Sequence, residues 1–120
     1  MADQYSLFGV EPSFYTQKGL AILKTKGLPH AFCYKSFAVR GEVEAAVNGY
    51  TKMPVVHTPS GDWLIDSTAI GLELDRRHPE TALLPADPVW AAIGRLLDDW
   101  VDEWLVRPAV HWRVQVTGAD

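Results

Sequence analysis

The stretch that most constrains the fold is residues 5–37. "YSLFGV" (5–10) reads as a short strand, "PSFYTQKGLAILKTKG" (12–27) as a helix, and the apolar, aromatic "HAFCYKSF" (30–37) as a second strand. Pro12 and Ser13 mark the helix start, Leu20, Ile22 and Leu23 lie inside it, and Gly27 stops it. Two strands joined through a helix pair in parallel by a right-handed crossover, so the chain opens as one strand, helix, strand unit.

The remaining segments add an antiparallel half. "EVEAAV" (42–47) is a weak, short helix. "MPVVHT" (53–58) and "DWLID" (62–66) flank the turn residues "PSG" and predict a hairpin. "STAIGLELDRRH" (67–78) follows as a helix, with Asp66 or Ser67 as its cap and Pro79 just past its end. This order predicts an α/β chain with a mixed four-stranded sheet and three helices, the thioredoxin-like arrangement, over residues 1–79. Residues 80–88 form a proline-punctuated linker in which Asp87 is an N-cap and Pro88 the first helical residue. Beyond it, "VWAAIGRLLDDWVDEWLV" places Trp90, Ile93, Leu97, Trp100 and Trp104 on one stripe of a long C-terminal helix. Asp98, Asp99, Asp102 and Glu103 fall mostly off that stripe, as a solvated helix face.

Composition narrows the function classes. With 120 residues, 48% hydrophobic and 22% charged, the chain is long enough to bury a core. A net charge of −4, with eleven Lys and Arg spread along the chain, argues against nucleic acid as a partner. No apolar run approaches the roughly 18 residues of a spanning helix, and "MADQYSLFGV" lacks the regions of a signal peptide. No membrane partner and a cytoplasmic location are the resulting expectations. The single cysteine, Cys33, excludes an internal disulfide and sits in a strand, where it is expected to pack as a small hydrophobe. His30, His57, His78 and His111 are scattered without ligand spacing, so no metal is expected.

Pro54 heads a strand although it has no N–H for a ladder. In a thioredoxin-like sheet this is the position of a cis proline that turns backbone groups toward a ligand, and the Met53–Pro54 bond is expected to be cis. Three further segments carry a resemblance in the correct order. "VNGYTKMP" is similar to an Asn-Pro-x-Gly-Lys-Val-Pro segment, with Gly49 and Thr51 replacing its first Pro and its Gly; "LIDSTAI" resembles an acidic-Ser-x-x-Ile signature; "LLPADPVWAA" resembles an interdomain linker and helix start. Together, from about Tyr5 to Trp112, the chain resembles the N-terminal, thioredoxin-like domain of the cytosolic glutathione transferases, followed by the linker and first helix of their all-helical domain.

That resemblance implies glutathione as co-substrate, a small electrophile as second substrate, detoxifying conjugation as the reaction, and a homodimer. Residues 89–120 would then be the first helix of a truncated all-helical domain, leaving the electrophile pocket incomplete. For glutathione, it implies that Ser67 receives the γ-glutamyl carboxylate at a helix N-terminus while Asp66 pairs with the α-ammonium. Met53, Pro54 and Val55 form the backbone segment facing the cysteinyl amide, with Val55 offering the bridge, and Lys52 faces the glycyl carboxylate. Each has an ordinary alternative: Asp66 as a plain N-cap, Lys52 as a solvated loop lysine. For the thiolate, Ser13 aligns with the serine of serine-type classes, its alternative being the helix cap; Tyr15 and Thr16 are the other hydroxyls in reach. No cysteine occupies that position, which disfavours the reductase chemistry of cysteine-type classes. Two function classes stay open: a serine-type conjugating enzyme, favoured by Lys52, Pro54, Asp66 and Ser67, and a non-catalytic binding or assembly module, favoured by the changes at Gly49 and Thr51.

Overall fold

The computed structural model describes residues 3–116. It divides into two compact units, Met1–Leu83 and Leu84–Asp120.

In the first unit, strand β1 (Tyr5–Gly9) leads into helix α1 (Phe14–Thr25), strand β2 (His30–Tyr34), helix α2 (Phe37–Ala46), strands β3 (Val55–His57) and β4 (Trp63–Ile65), and helix α3 (Ser67–Arg77). The sheet order is β2-β1-β3-β4, with β1 and β2 parallel and both other pairings antiparallel, which is the expected thioredoxin-like sheet. Gly27, at φ 66°, supplies the left-handed turn that frees the chain from α1. Helix α2 begins well before "EVEAAV". Its N-cap is Ser36, and Phe37, expected at the end of a strand, forms its first turn and is almost wholly exposed.

The period of two along the strands divides the core between the two sheet faces. Tyr5 and Leu7 of β1 and Val56 of β3 pack with Ile22 and Leu23 of α1 and Ile70 and Leu74 of α3. Their neighbours Phe8 and Val55 point the other way, toward Val43, Val47, Val39 and Tyr50 in and beside α2. Each such side chain contributes about 1.5–3 kcal/mol on burial, so this alternation fixes the sheet register. Cys33 is half-buried, because β2 is an edge strand with one neighbour.

At one end of the sheet, the C-cap residue of α1, Lys26, has no exposed side-chain surface. Its Nζ donates to Asp75 Oδ1 at 2.7 Å and to the carbonyl oxygens of His78 and Thr81 at 3.2 and 2.8 Å. Asp75 in turn accepts the Leu83 N–H at 2.9 Å. These bonds carry the first unit through the 3₁₀ turn Pro79–Thr81, so it runs past residue 79. Tyr5 Oη and His78 Nε2 meet at 2.8 Å beside them.

The second unit is helical from Pro88 to Val116. Helix α4 (Pro88–Trp100) is capped by Asp87, whose carboxylate accepts the Val89 and Trp90 N–H groups. Two π-helical stretches, Val101–Leu105 and Trp112–Val116, flank helix α5 (Val106–His111). The first precedes Pro108 by one turn: an interior proline clashes with the carbonyl four residues earlier, here Trp104, and widening the helix there relieves it. The predicted stripe is present and open, with Trp90, Trp100 and Trp104 exposed by 62%, 50% and 65%. Among the described residues, no helix is long and apolar enough to cross a membrane.

Candidate functional site

Strand register gathers the predicted site residues at the other end of the sheet. Val55 lies opposite Phe8 on one side and Ile65 on the other. The C-terminal ends of β1 and β4 therefore flank the first residue of β3. Ser13 follows β1, Lys52, Met53 and Pro54 precede β3, and Asp66 and Ser67 follow β4. Strand β2 is parallel to β1 and ends at the same edge, where Lys35 follows it.

Two helix N-termini reach this edge, those of α1 and α3. Each brings the positive end of a helix dipole, which favours anions there. The two helices are joined by Lys18 Nζ, which donates to Thr68 Oγ1 at 3.0 Å. Gly19 of α1 lies so close to the loop that a Cβ there would sit 3.2 Å from Pro54 Cγ and 2.9 Å from Leu7 Cδ1. A side chain at this position would have to displace Leu7 and press on Pro54.

Ser13 is the N-cap of α1, its Oγ accepting the Thr16 N–H at 3.2 Å. A hydroxyl has two lone pairs and one proton, so capping leaves the proton available to an incoming anion. Capping and donation are thus compatible on one oxygen. Tyr15 lies inside the first turn and is half-buried.

Asp66 is the N-cap of α3 and accepts the Thr68 and Ala69 N–H groups at 3.0 and 3.1 Å. Its backbone stands at φ 70°, ψ 121°, a conformation that costs a non-glycine residue about 1–3 kcal/mol. Asp66 is exposed there, while the next residue, Ser67, is buried at the first helical position. The Tyr50 phenol sits against Asp66: burial raises its pKa first, and the Asp66 carboxylate raises it further.

The Met53–Pro54 bond is cis, as expected from the sequence. Pro54 and Val55 are buried, Met53 is half-buried and Lys52 is exposed. Val55 is held within the sheet by partners on both sides, whereas Met53 lies outside both ladders.

Sequence reading missed Lys35. Its side chain is 1% exposed, and its Nζ donates to the carbonyl oxygens of Thr51 and Lys52, both at 3.1 Å, with Glu44 Oε1 at 3.2 Å. Burial pushes the Glu44 carboxyl up, but hydrogen bonds from Arg40 and Lys35 outweigh it and leave its pKa lowered. Two of Lys35's three partners are backbone carbonyls, which carry no sequence signal beyond a lysine at the end of an apolar run. Three of the four histidines have structural partners: besides His78, His30 Nδ1 meets the Leu28 carbonyl at 2.7 Å, and the His57 ring lies 4.4 Å from that of Trp63.

Comparison with known proteins agrees with this architecture. The family profile described as glutathione S-transferase, N-terminal domain matches residues 7–82. Among curated proteins compared by sequence, none matches. A glutathione S-transferase from Rhodospirillum rubrum superposes with a TM-score of 0.78 at 26% identity, covering 87% of this chain and 47% of that one. One from Methylobacterium radiotolerans, solved with glutathione sulfonate, gives 0.72 at 29% identity, over 82% and 47% of the two chains. A third, from Methylobacillus flagellatus with glutathione bound, gives 0.70 at 26% identity, over 82% and 49%. The chain spans about half the length of these structures. With the profile covering residues 7–82, most of its length, the chain belongs to the glutathione S-transferase N-terminal domain family.

Proposed function

We propose that this chain binds glutathione at the end of the sheet where α1 and α3 begin, and that it activates the glutathione thiol for conjugation to a small electrophile. The observation that carries the reading is the convergence, on one edge, of two helix N-termini with Ser13, Met53, Asp66 and Ser67. Relatives solved with glutathione or its sulfonate support the ligand. The γ-glutamyl carboxylate fits the N-terminus of α3 at Ser67, the α-ammonium fits the exposed Asp66 carboxylate, and Lys52 is available to the glycyl carboxylate. Met53, with Pro54 and Val55 behind it, offers the backbone for the cysteinyl amide.

Ser13 supplies the chemistry. A free thiol with a pKa of about 8.5 is only a few per cent ionised at pH 7. Lowering that pKa by about 2 units takes about 2.7 kcal/mol of preference for the anion. One hydrogen bond to a charged group contributes about 1.5–3 kcal/mol, and a helix dipole about 0.3–1 kcal/mol. The Ser13 proton and the N-terminus of α1 together meet the requirement, with no metal. A homodimer in the cytoplasm, as in the resemblance, completes this reading.

A second reading, a non-catalytic binding or assembly module, is favoured by the loop at Asn48 and Gly49. Both residues have positive φ, 54° and 83°, where the family pattern has a proline at the second position. Calorimetric titration with glutathione, followed by a conjugation assay with a model electrophile, tests the proposal. Saturable binding with turnover supports the enzyme, binding without turnover supports the module, and absence of binding sinks both.

A further inference from the structure

We propose that Lys35 is a positioning residue for the ligand-facing loop, acting on glutathione through the backbone of Thr51, Lys52 and Met53 without touching the ligand. This rests on the glutathione reading above.

Lys35 joins both halves of the site. Its backbone N–H donates to the Gly9 carbonyl at 2.8 Å, at the end of the strand that leads to Ser13. Its Nζ donates to the Thr51 and Lys52 carbonyl oxygens at 3.1 Å, in the segment that leads to Met53 and Pro54. An ammonium has three protons, and the third points to Glu44 Oε1 at 3.2 Å, so the buried charge is fully engaged. That segment has no ladder of its own: it runs between the end of α2 and the start of β3. Asn48 and Gly49, both at positive φ, open it, and Gly49 stands where the family pattern has the proline that would stiffen it. The two carbonyl bonds from Lys35 supply the missing stiffness. They set the direction of the chain one residue before Met53, and hence where Met53 presents its backbone and where the Lys52 side chain starts.

The molecule contains its own control. Lys26 is a second buried lysine with the same partner set, two carbonyl oxygens and one carboxylate, but at the opposite end of the sheet. Replacing either lysine with Met should destabilise the fold. Only the Lys35 change should alter the site.

The test compares Lys35→Met and Lys26→Met in three measurements on the whole chain: thermal stability, amide exchange over residues 50–55 without ligand, and the glutathione Kd of the folded protein. Lys35→Met is expected to speed exchange at Lys52 and Met53 by about tenfold or more and to raise the Kd about tenfold. Lys26→Met should leave both at the wild-type value. In combination with Lys52→Ala, the Lys35 effect should shrink, because part of it acts through the Lys52 side chain. Should Lys35→Met fail to fold, Lys35→Arg keeps the charge. Its planar, longer fork fits the two carbonyls poorly, so a Kd raised several-fold is again expected. The proposal is overturned if the Lys35 variants change loop exchange and Kd no more than Lys26→Met does. If the wild-type chain binds no glutathione, the ligand role falls with the site reading, and the exchange data alone decide whether Lys35 anchors the loop.

Discussion

Replacing Asp66 with Asn separates its two roles. The carboxylate caps α3 through bonds of 3.0 and 3.1 Å to Thr68 and Ala69, and it is exposed, so the change leaves no buried group unpaired. Asn caps as well as Asp and tolerates the left-handed region in which residue 66 stands. What the fold loses is one negative charge at a helix N-terminus, about 0.3–1 kcal/mol, or a few degrees in Tm for a domain this small. Binding loses more. An ammonium facing the carboxylate makes a charge-assisted hydrogen bond of about 1.5–3 kcal/mol. The amide oxygen recovers part of it, leaving a net loss of about 1–2 kcal/mol and a Kd raised about 5- to 30-fold. Titration calorimetry and thermal melts on the same preparations read both numbers. An unchanged Kd would reduce Asp66 to a helix cap. A Tm lowered by more than about 10 °C would refute the capping argument.

Three further outcomes are expected. Ser13→Ala should raise the thiol pKa of bound glutathione by about 1–2 units, with little loss of affinity, while Tyr15→Phe leaves it unchanged; titration of the thiolate absorbance against pH measures this, and the reverse pattern would leave Ser13 only as a cap. Lys26→Met removes one partner of a nearly buried ion pair and should cost about 3 kcal/mol in denaturant unfolding; a cost under about 1 kcal/mol would contradict the burial argument. Arg76 and Arg77 hold the Glu73 carboxyl at about 2, against an ordinary 4.5, by hydrogen bonds. A depressed folded pKa means that this contribution is present above pH 4.5 and is lost as pH falls toward 2. Melts of Glu73→Gln should therefore depend less on pH across that window than wild-type melts.

Much of this site was legible because its signals are local. A serine beside a proline at the head of α1, an aspartate before "STAI", and a proline at the head of β3 each act on their own neighbours, and sequence order preserves that. Once the strand order is known, the register does the rest. Helix α2 was read short because Phe37 continues the aromatic run of β2 and Gly41 interrupts the helical pattern, so Ser36 did not stand out as a cap. Lys35 was invisible for a different reason: its acceptors are carbonyl oxygens of residues 51 and 52, and any residue type there offers the same atom. Val55 follows Pro54 as the first residue of β3, paired on both sides, while Met53 precedes both ladders. The tryptophan stripe of the last helix follows from its period alone, whereas the π-helical turn before Pro108 depends on how the backbone relieves one steric clash.

The central claim is that glutathione occupies the sheet edge between the starts of α1 and α3. Mapping amide chemical shifts during a glutathione titration tests it most directly. Saturable shifts concentrated at Ser13, Met53, Val55, Asp66 and Ser67 are expected, with those at the Lys26 end near zero. Shifts scattered over the surface, or none at about 10 mM glutathione, where even a weak millimolar complex would be mostly formed, would contradict it.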